Sequence, residues 1–131
     1  MKNVNIYLFL ILTVLIFPVV GLSQPLTLSW EGETIGDSLL VVGFTTDNEL
    51  VAHVIVTNNT ANSMGIKVKR TPLEVVGGSV NYFCWAGNCY PPSVNQSPGY
   101  LTLSAGQSSG DEDFSGHYVP NGNYGDSFIE Y

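Results

Sequence analysis

The chain has 131 residues, with 4 basic side chains against 11 acidic ones and a net charge of −7. Nucleic acid and anionic lipid are recognised by clustered Lys and Arg, so this balance excludes both as expected partners. The length supports one domain built around one core.

Residues 1–23 read as targeting rather than fold. Lys2 supplies a positive charge, and Ile6 to Val20 is an apolar run of 15 residues broken only by Thr13 and Pro18. Gly21-Leu22-Ser23 then places small residues where a signal peptidase cleaves. A membrane span needs about 20 apolar residues, so the expectation is a signal peptide cut after Ser23. Export to the medium or cell surface follows, with no transmembrane segment in the mature chain, 24–131. That chain keeps Lys67, Lys69 and Arg70 against 11 acidic residues, a difference of −8.

From Gln24 onward the pattern is one of strands. Leu26, Leu28 and Trp30 alternate with Thr27 and Ser29, and Leu39 to Phe44 is a short valine-rich run. Leu50, Ala52, Val54 and Val56 share one face of "LVAHVIVT", with Val51, His53 and Ile55 on the other. Met64, Ile66 and Val68 alternate with Gly65, Lys67 and Lys69. Val80 to Trp85 is β-branched and aromatic, and Leu101/Leu103, Phe114/Tyr118 and Ile129/Tyr131 mark three later strands. Period-2 alternation over short runs is the signature of half-buried strands. Turn-forming clusters separate them: "TNNTANS" (57–63), expected as a hairpin loop, then "VGGS", "YPPSVNQSPG", "SAGQSSGDED" and "VPNGNYGDS". With 14 Gly, 7 Pro and no helical repeat, the fold class is all-β, an immunoglobulin-like antiparallel β-sandwich. "SFIEY" opens a strand at the last residue, so further closing strands are expected beyond it, and the chain reads as a fragment.

Cys84 and Cys89, the only cysteines, stand in "NYFCWAGNCYPP". Thioredoxin-type motifs leave two residues between cysteines at a helix start; here four intervene, and Pro91-Pro92 forbids a helix. Zinc wants four ligands, and the two histidines, His53 and His117, are distant in sequence. In an exported chain the pair reads as a disulfide. Bridged Cα atoms lie within about 7 Å, so the chain must reverse across Trp85-Ala86-Gly87-Asn88, with Gly87-Asn88 as turn residues.

No nucleophile elbow, metal-ligand motif or phosphate loop appears, so the chain is read as non-catalytic and without a cofactor. Trp85 and Tyr90, flanking the stapled bend, are the candidate ligand contacts, because flat amphipathic rings suit sugars and protein partners. The alternative for each ring is a place in the core. Asp111, Asp113 and Asp126, in Gly-rich loops, are weak calcium candidates whose ordinary reading is solvated turns.

The blocks "SWEGETIGDSLLVVG", "ELVAHVIVTNNTANSMGIKVKR", "NYFCWAGNCYPP" and "FSGHYVPNGNYGDSFIEY" resemble a domain recurring in secreted and surface proteins of Bacteroidota, which commonly end in a type IX secretion sorting domain. The resemblance covers nearly all of 24–131 and implies an exported immunoglobulin-like module without assigned catalytic residues. The expected function is interaction or adhesion, either as a monomer or as one module of a larger surface chain. A glycan-binding accessory to a secreted hydrolase and a structural spacer are the alternatives.

Overall fold

The computed structural model describes residues 24–131, so the signal-peptide reading of 1–23 lies outside the described residues. Eleven strands follow one another: β1 (Leu26–Trp30), β2 (Glu33–Thr34), β3 (Leu50–His53), β4 (Ile55–Asn58), β5 (Met64–Ile66), β6 (Thr71–Glu74), β7 (Val80–Trp85), β8 (Asn88–Tyr90), β9 (Leu101–Leu103), β10 (Phe114–Val119) and β11 (Phe128–Glu130). They pair antiparallel as β2-β1-β4, β3-β10-β7-β8, β11-β6 and β5-β9. No helix among the described residues is long and apolar enough to cross a membrane.

Three of the four sheets, all but β11-β6, contribute to one core. Val54, Val56, Ile66, Val68, Phe83, Trp85, Leu103 and Phe114 are buried together, with Leu26, Leu28 and Leu101 packed against them. Each comes from an alternating run, and in β7 the alternation puts Phe83 and Trp85 inward. This all-β, antiparallel arrangement is compatible with a β-sandwich.

The strand pairing departs from the expected pattern in three places. "LVAHVIVT" is two strands, because the chain changes sheets at Val54: β3 joins β10, whereas β4 joins β1. "TNNTANS" is not a hairpin loop, since β4 pairs with β1 and β5 pairs with β9. Nor do its asparagines take the left-handed conformation; instead Asn58 is fully buried and its amide donates to the carbonyls of Asn62, Leu103 and Ser104 at 2.8, 3.1 and 3.0 Å. Leu39–Phe44 forms no strand.

At the far end β11 pairs with β6, whose Pro72 is tolerated on an edge beside a register shift at Phe128/Ile129. Tyr131 then lies over Gly116 of β10. A Cβ there would stand 3.2 Å from the Tyr131 hydroxyl, so glycine makes room for the ring between Phe83 and Phe114.

Candidate functional site

The hairpin β7–β8 reverses over two residues. Ala86 and Gly87 both have positive φ, 51° and 75°, as a type I′ turn requires. The turn therefore sits one residue earlier than Gly87-Asn88, and Asn88 already belongs to β8. This register places Cys84 directly opposite Cys89, with Cα atoms 3.9 Å apart, and the two form a disulfide. Alternation then sends Phe83 and Trp85 to the core and Cys84 and Tyr82 to the outer face.

Trp85 is consequently 0% exposed, its ring edge-on to Phe114 at 5.7 Å. Its face is covered by core, so it is not the ligand contact that its place beside the bend suggested. Tyr90 is half-buried against Phe83, at a centroid distance of 5.3 Å. The proposed aromatic platform is thus largely interior.

Pairing across the sheet assembles a different site on the outer face. His53, Ser115, Cys84 and Cys89 occupy one cross-strand row, and Val51, His117 and Tyr82 the next. The His117 ring stacks on Tyr82 at 4.4 Å. Its Nε2 lies 2.9 Å from Ser115 Oγ and 3.3 Å from Cys84 Sγ. On the opposite edge, Nδ1 is 3.2 Å from Glu49 Oε1, an ion-pair distance without hydrogen-bond geometry, so this buried nitrogen has no hydrogen-bond partner. The Tyr82 hydroxyl donates to the same Glu49 oxygen at 2.5 Å. That bond, burial and the Glu49 charge all raise the Tyr82 phenol above its ordinary value. His53 Nδ1 meets the Asp111 carbonyl at 3.2 Å. His53, Glu112, Ser115, His117 and the two cysteines line a cavity of about 230 Å³.

Ser115, His117 and Glu49 follow one another in the order of a hydrolytic relay, but the His117–Glu49 contact lacks the hydrogen bond such a relay needs. Ser115, moreover, is only 3% exposed, and its strand is laddered on both sides to β3 and β7. The backbone N–H groups around it are committed to the sheet, which removes the usual source of an oxyanion hole.

The calcium candidates do not converge. Among the described residues, the one group of three or more His, Cys, Asp or Glu placed to share a metal is Cys84, Cys89 and His117, and Asp111, Asp113 and Asp126 are not in it. Asp113 instead accepts from the Gly110 N–H at 2.7 Å, closing its own turn.

Sequence reasoning passed over His53 and His117 because 64 positions separate them in the chain. The available signal was parity, since each histidine falls on the non-core face of its strand. That β10 lies between β3 and β7 could not be read from one sequence. No known protein family, curated protein or solved structure matches the chain.

Proposed function

We propose that the chain is a non-catalytic, exported, immunoglobulin-like module that serves interaction within a secreted or cell-surface protein. The observation that carries this reading is the segment 40–44. Leu40, Val42 and Phe44 are 81, 80 and 77% exposed. Among the described residues, positions 36–43 make no backbone hydrogen bond to other backbone. Exposed apolar side chains on an unpaired backbone are what strand addition by a partner uses. Asp37 and Asp47 bracket the segment, so the partner it fits is a protein offering an extended apolar segment with basic flanks.

Export is supported by the 1–23 pattern and by the disulfide, which oxidising compartments favour. The immunoglobulin-like reading is supported by the antiparallel strands packed around one core. The non-catalytic reading rests on the buried Ser115 and the oxidised cysteines.

The test is site-specific photocrosslinking in the producing cell, with the probe at Val42 and, as control, at the exposed Glu33. A discrete protein adduct from Val42 and none from Glu33 is expected. A folded, exported protein that yields no adduct from Val42 is a spacer, and the interaction reading fails.

A further inference from the structure

The outer face of the β3-β10-β7-β8 sheet carries a set of soft metal ligands that the disulfide holds closed. We propose that, once the Cys84–Cys89 bond is reduced, Cys84, Cys89 and His117 bind a thiophilic d10 cation such as Zn²⁺, with His53 at the cavity rim as fourth ligand.

The ligand atoms of Cys84, Cys89 and His117 already lie within 4.8 Å of one another. A tetrahedral zinc with bonds of about 2.3 Å to sulfur and about 2.0 Å to nitrogen sets a sulfur–nitrogen edge of roughly 3.5 Å. Cys84 Sγ stands 3.3 Å from His117 Nε2. The two sulfurs must part, to roughly 3.7 Å for the same bond lengths, and the His53 imidazole, which lies outside that group of three, must swing in from the cavity rim.

The surroundings of the two imidazoles point the same way. Metal-binding histidines turn one nitrogen to the metal and the other to a carboxylate or carbonyl, which fixes the ring. Here His117 Nδ1 faces the Glu49 carboxylate and His53 Nδ1 faces the Asp111 carbonyl. The Tyr82 hydroxyl in turn holds Glu49. Two thiolates and two imidazoles form a ligand set suited to a d10 ion.

Reduction begins at Cys89, the exposed half of the bridge. A dithiol attacks its sulfur and leaves as a cyclic disulfide, its two hydrogens passing to Cys84 and Cys89. Zn²⁺ then displaces those two protons to solvent as two sulfur–zinc bonds form.

The test uses the purified protein, reduced anaerobically with a phosphine and titrated with Co²⁺ as a spectroscopic stand-in, then with Zn²⁺. The reduced protein is expected to take one equivalent of Co²⁺ with thiolate charge-transfer and intense visible bands, all displaced by Zn²⁺. The oxidised protein should give none. Cys84→Ser, which leaves one thiolate, should lose much of the charge-transfer absorption, and His117→Ala should weaken binding by about tenfold or more. Uptake without charge-transfer bands, no uptake, or wild-type affinity in His117→Ala overturns the site. Circular dichroism is followed throughout. If reduction unfolds the sheet, Zn²⁺ must restore its signal, and failure to do so also overturns the proposal.

Discussion

Asn58, Arg70 and Trp85 each carry more of the structure than their residue types advertise. The Asn58 amide ties the end of β4 to three carbonyls, while its oxygen accepts from the Thr60 N–H at 2.9 Å. Replacing it with alanine strands buried carbonyls, so Asn58→Ala should cost about 2 to 3 kcal/mol in denaturant unfolding. Arg70 is 3% exposed and donates to the Asn81 and Pro92 carbonyls and to Asn95 Oδ1. It thereby clamps the 91–98 loop onto β7, an interior role that its place in the charge balance gave no sign of. Trp85→Ala should lower stability by about 3 to 5 kcal/mol, the cost of a large core cavity. An unchanged unfolding midpoint would show that the ring is not a core residue. The alternation of Phe83 and Trp85 was enough to place Trp85 inward; its position beside a stapled bend drew attention to the wrong face.

The β7–β8 hairpin rests on one unusual residue. Ala86 holds φ at 51°, a conformation that asparagine tolerates better than alanine, while Gly87 at 75° is at ease. Ala86→Asn should therefore raise stability by about 0.5 to 1 kcal/mol, measured as a shift in unfolding midpoint without change in slope. Most strands were legible because their inward residues alternate: β1, β5, β7, β9 and β10 all fall on predicted runs. What escaped were β2, β6 and β8, whose sequences ET, TPLE and NCY carry no apolar–polar alternation, and the pairing itself. The run 39–44 has strand composition but no strand, since composition rewards valine whether or not a neighbouring backbone is there to pair with it. Cys84 and Cys89 were readable as a bridge; that His53, Ser115 and His117 stand beside them depends on sheet order, which is a long-range property.

At the scale of the whole molecule, a common core and an acidic surface enclose a face of chemically capable side chains held in a closed state. Two phenols link this fold to pH. Burial pushes the Tyr131 phenol up, against a lowering pull from Arg70, and the Glu49 contact raises Tyr82. Each therefore holds its proton more tightly folded than unfolded, so stability is intact below about pH 10, the ordinary tyrosine value, and falls as pH rises through the folded-state values. Melting temperature followed from about pH 8 to about pH 11 should be flat and then decline, and Tyr82→Phe should make the decline shallower; an equal slope in that variant would remove the Glu49 bond from the account. The central claim is that the two sulfurs are joined in the native protein. Alkylation of the denatured, unreduced protein, followed by intact mass, addresses it directly: no added alkyl group is predicted before reductant and two after, whereas two groups added before reductant would contradict it.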